Sequence, residues 1–143
     1  MAAYDNLTDT FVELIRRAST QLPDDVVRAL ENGRTGETSG DLADKAIGTI
    51  LDNIEMARTT SAPICQDTGT PVVWVHHPVG VSTRSLGEQF EAAVRSATEK
   101  KFLRPNAVDT LTGKNTGTGT GRGIPFLHFE EWAEPRLEVR MIL

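Results

Sequence analysis

The chain has 143 residues, 38% hydrophobic and 24% charged, which suits a single soluble domain with its own core and leaves little room for two. Fifteen Lys and Arg against twenty Asp and Glu give a net charge of -5 and a pI near 5.2. That balance offers no broad basic surface, so neither nucleic acid nor anionic lipid is an expected partner. No apolar run approaches the roughly 20 residues of a membrane-spanning helix, and the start MAAYDNLTDTF lacks a cationic, apolar secretory signal, so the expected location is the cytoplasm.

In chain order, Leu7, Phe11, Leu14, Ile15 and Ala18 fall at helical spacing over residues 6 to 18, with Asp5 or Asn6 as candidate caps. A second helix opens at Pro23, carries Asp24 and Asp25 in its first turn and Val26, Val27 and Leu30 on one face, and is expected to stop at Gly33. From Ser39, Leu42, Ala43, Ala46, Ile47, Ile50, Leu51, Ile54 and Ala57 form a wide apolar stripe, which predicts a third helix and the main core element. Pro63 ends it and introduces the polar loop SAPICQDTGTP.

Val72 to Val75 reads as a strand. Leu86, Phe90, Ala93, Val94 and Ala97 predict a fourth helix, capped by Ser82 or Thr83 and running to about Phe102. The irregular stretch RPNAVDTLTGKNTGTGTGRG follows, then strands at Ile124 to Phe129 and Leu137 to Met141. The last strand still alternates when the sequence stops at Leu143, so the chain is expected to be part of something longer.

A single cysteine excludes an internal disulfide, leaving Cys65 as a buried small apolar group or as a reactive or metal-binding thiol. Its surroundings suit a ligand: Gln66 and Asp67 bring an amide and a carboxylate beside the sulfur, and Gly69 lets the chain turn closely around a bulky group. On composition alone a lone cysteine is more often a buried structural residue than a ligand. His76 and His77 are adjacent on a strand and point to opposite faces, so they are poor partners for one ion. His128 reads as structural, Trp74 and Trp132 as packing residues, and Glu130, Glu131 and Glu134 as a solvated edge.

The string Ala62-Pro63-Ile64-Cys65-Gln66-Asp67-Thr68-Gly69-Thr70, with its distinctive CQDTG core, resembles the first cluster motif of class I fumarases and the related tartrate dehydratases. Leu103-Arg104-Pro105-Asn106-Ala107-Val108-Asp109 and Leu111-Thr112-Gly113-Lys114-Asn115-Thr116-Gly117 follow in the order that family has, so the resemblance covers nearly the whole chain. It implies a hydro-lyase that interconverts fumarate and malate, or tartrate and oxaloacetate. It further implies a 4Fe-4S cluster held by three cysteines, of which Cys65 matches the first; the other two would lie in sequence beyond residue 143, as would a second, catalytic C-terminal domain or beta-type subunit. The isolated chain is therefore expected to be inactive.

By the same resemblance, Gln66 and Asp67 are expected to contact the substrate, Asp67 as the candidate catalytic participant, and Arg104 to grip a substrate carboxylate. The local alternative for Arg104 is a cation closing the end of the fourth helix. The run Asn115 to Gly121 reads either as backbone nests for an anion or as a flexible Gly/Thr connector; family members commonly carry an acidic or amide pair where this chain has Thr118 and Gly119.

The fold expected is a mixed α/β unit over residues 1 to 143, with a helical subregion over about 5 to 60 and an α/β subregion over about 64 to 143, the helical cluster packed beside a small sheet. A homo-oligomer and a small dicarboxylate substrate complete the expectation. The competing function is a non-catalytic relative that serves as an assembly or interaction module.

Overall fold

The computed structural model describes residues 4–143, and the elements follow as α1 (Thr8–Thr20), α2 (Asp24–Thr35), α3 (Leu42–Thr60), β1 (Val72–Pro78), α4 (Thr83–Glu99), β2 (Phe126–Trp132) and β3 (Glu138–Ile142). Helices beside a small three-stranded sheet make the mixed α/β class that the sequence predicts. Strand β1 is central, parallel to β2 and antiparallel to β3. The parallel pair requires a long crossover, which α4 and the irregular stretch after it provide.

Register puts Val73 between Leu127 and Met141, and Val75 between Phe129 and Val139, so one face of the sheet is a continuous apolar layer. Helices α1 and α4 close over it. Phe11, Val12 and Ile15 meet Leu86, Phe90, Ala93, Val94 and Ala97, and the rings of Phe11 and Phe90 stack with centroids 3.7 Å apart. Each fully buried Val, Leu, Ile or Phe side chain among them contributes on the order of 1.5–3 kcal/mol by leaving water. The other face carries Trp74 stacked on His128, and His76 stacked on Trp132 with its Nε2 3.2 Å from Glu130. The tryptophans thus pack, but against histidines on the uncovered face, while His77 turns inward beside Phe129.

The structure corrects several expected features. α3 is not the core element: only Gly48, Ile54 and Ala57 are buried along it, Leu42 is 84% exposed, and its partner is α2, which buries no residue. Gly33 does not stop α2, which continues to Thr35 with Gly36 as its cap and Pro23 at the position before the first turn. Leu7, not Asp5 or Asn6, occupies the cap of α1, and its N–H is satisfied from afar by Gln89 Oε1 at 2.5 Å.

α4 ends at Glu99 rather than Phe102. Lys101 takes φ +64°, and Phe102 and Lys101 donate to the carbonyls of Ala97 and Thr98, the paired bonds that close a helix through a left-handed residue. The strands also shift: β1 runs on to Pro78, β2 starts at Phe126 instead of Ile124, and β3 spans Glu138 to Ile142. β1 outlasts its apolar run because both neighbours supply partners for His76.

Candidate functional site

The cysteine loop begins where α3 stops. Ser61 adopts φ +54°, and Ala62 N–H closes on Ala57 C=O. Ile64 is then fastened on both sides: its N–H donates to Ser19 C=O at 3.0 Å, and its C=O accepts from Asn53 Nδ2 at 2.9 Å. Four residues later, the buried Thr68 hydroxyl accepts from the Arg104 backbone N–H at 3.0 Å and from Asn106 Nδ2 at 3.4 Å. Between these anchors Cys65, Gln66 and Asp67 are exposed. No hydrogen bond engages the Cys65 or Gln66 side chain among the described residues, and Asp67 Oδ1 accepts only from Gly69 N–H, at 3.1 Å.

Gly69 has φ +68°, and a Cβ there would lie 2.8 Å from the carbonyl carbon of Leu143, so only glycine allows the end of β3 to press against this loop. The loop leaves through Pro71, whose C=O accepts from Phe126 N–H at the start of β2.

Arg104 lies five residues beyond the end of α4, exposed between the buried Leu103 and Ala107. Its guanidinium has neither an ion pair nor a hydrogen bond among the described residues, so it does not close the helix end. The third motif segment is joined to the second. Asn115 Nδ2 donates to Pro105 C=O, Thr116 N–H donates to Ala107 C=O at 2.8 Å, and Val108 and Asn115 form an antiparallel bridge. The tip of this hairpin is tightened by Asp109, whose Oδ1 accepts from the Thr112 N–H and hydroxyl and from Leu111 N–H. Those donors, Thr112 N–H first, hold the Asp109 carboxyl below its ordinary range.

The Gly/Thr run is ordered rather than a loose connector. Asn115 Oδ1 accepts from Gly117 N–H at 2.7 Å, Thr118 and Thr120 hydroxyls lie 3.0 Å apart, and Gly119 packs on α4 where a Cβ would come within 2.5 Å of Thr98 Oγ1. Gly69, Arg104, Asn106 and Gly119 all border one crevice between these segments, which holds no more than about 10 Å³, the room of about one water. A ligand would therefore sit over the exposed rim and not inside it.

The four site residues expected from the sequence thus share one region, Cys65, Gln66 and Asp67 on one turn and Arg104 on the segment bonded to it. The histidines do not join them; all three lie on the sheet. Among the described residues no group of three or more His, Cys, Asp or Glu is arranged to hold a metal ion. Asn53, Thr68 and Asn106, which shape the loop, carried no assigned role in the sequence reading. Thr68 and Asn106 were visible only as members of their motifs, and Asn53 only as a polar residue on a helix.

The family described as fumarate hydratase (Fumerase) matches residues 8–143 of the chain. A provisionally named class I fumarate hydratase of Geobacillus stearothermophilus is 40% identical over 97% of the chain, which spans 27% of that protein. A provisionally named L(+)-tartrate dehydratase subunit alpha of Methanocaldococcus jannaschii is 34% identical over 93% of the chain and 48% of its own length. The L(+)-tartrate dehydratase subunit alpha of Escherichia coli K12 is 36% identical over 90% of the chain and 42% of its own length. The chain therefore spans from about a quarter to about half the length of these curated relatives, and it belongs to the fumarate hydratase (Fumerase) family.

Proposed function

We propose that this chain forms one wall of the active site of an iron-sulfur hydro-lyase, which adds water to a small dicarboxylate or eliminates it. Fumarate and malate are the first substrate pair, with tartrate and oxaloacetate the close alternative, as the names of the two groups of relatives suggest. The observation that carries this reading is the hydrogen bonding of the three motif segments to one another, with Cys65, Gln66, Asp67 and Arg104 exposed on them.

A 4Fe-4S cluster takes several thiolates, and the chain has one cysteine, so its residues do not complete such a site alone. Cys65 suits one ligand position: it is exposed, has no competing hydrogen bond, and rides on a turn fastened at both ends. The remaining ligands are assigned to further sequence that the 143 residues do not include, and the partners to a C-terminal domain or beta-type subunit within a cytoplasmic homo-oligomer.

The chain's own residues have distinct tasks. A dicarboxylate needs cationic groups for its two negative ends, and the unengaged Arg104 guanidinium presents a planar fork that matches a carboxylate. Gln66 can donate its amide to a substrate oxygen, and the second oxygen of Asp67 can accept from a substrate hydroxyl. Proton abstraction from the carbon is assigned to that further sequence.

The single thiolate is the one observation favouring the competing reading, a non-catalytic assembly module. Anaerobic reconstitution with iron and sulfide, followed by visible absorbance and assays of fumarate hydration and tartrate dehydration, separates the two. The chain alone is expected to bind little iron, and the chain joined to the polypeptide that supplies the other ligands is expected to bind a cluster and turn over. A joined protein that gains neither would overturn the hydro-lyase reading.

A further inference from the structure

Thr68 is 7% exposed, yet its hydroxyl accepts two hydrogen bonds, both from a segment 36 and 38 residues further along. One donor is the backbone N–H of Arg104 itself; the other is the side chain of Asn106, whose own N–H returns to Arg104 C=O at 2.8 Å. The hydroxyl belongs to the residue directly after Asp67, so it links the exposed Cys65-Gln66-Asp67 turn to the exposed arginine. Leu103 and Ala107, both 4% exposed, anchor the arginine segment at its ends, and between them Thr68 holds Arg104 and Asn106 while Asn115 holds the Pro105 C=O.

We infer that Thr68 is a positioning residue, whose hydroxyl fixes where the Arg104 side chain emerges relative to Cys65, Gln66 and Asp67. The inference rests on the proposed role of Arg104 in gripping a substrate carboxylate. Valine has nearly the shape of threonine and cannot accept a hydrogen bond, whereas serine keeps the hydroxyl, so shape and hydrogen bonding separate cleanly.

Two measurements test it. The first is amide hydrogen exchange in the chain. Thr68→Val is expected to speed exchange at the Arg104 amide about fivefold to tenfold, with the β1 amides unaffected. Thr68→Ser should stay near the parent rate, and Thr68→Ala carries the same test if the valine variant does not fold. An unchanged Arg104 amide in both Val and Ala variants overturns the inference, as does a uniform rise that includes β1, which would mark a purely structural role.

The second is the substrate KM of the assembled enzyme. Thr68→Val is expected to raise it about tenfold with kcat little changed, and Thr68→Ser to restore it. A parental KM in Thr68→Val alongside a raised KM in Arg104→Met overturns the positioning role alone. A parental KM in Arg104→Met overturns the substrate role of Arg104 instead.

Discussion

α1 and α2 are consecutive helices of 13 and 12 residues, both amphipathic, yet they live in different environments. α1 buries Phe11, Val12 and Ile15 against α4 and the sheet, whereas α2 buries nothing and leans mainly on α3. An apolar stripe therefore reports that a helix has a side to cover, and the count of partners decides what that side is worth. The α2–α3 hairpin is joined to the core mainly by polar ties: Arg16 of α1 reaches Ser61 Oγ at 3.3 Å, and both Ser19 and Asn53 hold Ile64. The cysteine loop starts at this junction and ends against the core, so its rigidity draws on both regions.

The comparison can be broken most forcefully at Phe90. Phe90→Ala removes a ring that is 1% exposed and stacked on Phe11, and should cost about 3–5 kcal/mol in denaturant unfolding. A loss below about 1 kcal/mol would mean that the core is not where the packing puts it. Gly69→Ala comes next, at about 1–3 kcal/mol, because the left-handed backbone and the Leu143 carbonyl both resist a Cβ. Its calorimetric melting point should fall, and an unchanged value would deny the close approach of β3 to the loop.

Asn53→Ala loses the bond to Ile64 C=O and should cost about 1 kcal/mol, with faster exchange of the Ile64 amide as the local readout. Glu13 offers a pH test of the tie between the regions. Hydrogen bonds from Arg16 and then Arg17 lower its carboxyl from 4.5 to about 2. Because the folded value is the depressed one, its stabilisation is complete above 4.5 and is lost as pH falls through about 2. Glu13→Gln should therefore destabilise at neutral pH and make little difference near pH 2, and an equal effect at both would contradict the pairing. The smallest change is expected at Met56, 58% exposed on α3, where alanine should shift stability by no more than about 0.5 kcal/mol.

The sequence disclosed what depends on local pattern. Val72 to Val75 announced β1, the spacing of Leu86, Phe90 and Ala93 announced α4, and the cysteine motif announced the exposed turn. What it hid depends on distant partners. The order β2-β1-β3 follows from a crossover that no residue near β1 encodes. The wide stripe of α3 promised a core helix, but the sheet is covered by α1 and α4 instead, helices 82 residues apart at the Leu7–Gln89 bond. Thr68 was legible only as a member of CQDTG; that its hydroxyl would meet Arg104 required the fold. Likewise the Gly/Thr run looked equally like a connector, because its order comes from Asn115 and from contact of Gly119 with α4.

Cys65, on this pinned turn, is proposed as a cluster ligand. Iron content and visible absorbance of the assembled, anaerobically reconstituted enzyme, compared between the parent and Cys65→Ala, test it most directly. The variant is expected to lose most of its iron and the thiolate-to-iron absorption while its fold persists, since the exposed thiol supports no packing. A folded Cys65→Ala enzyme that retains the parental iron and absorbance would contradict it.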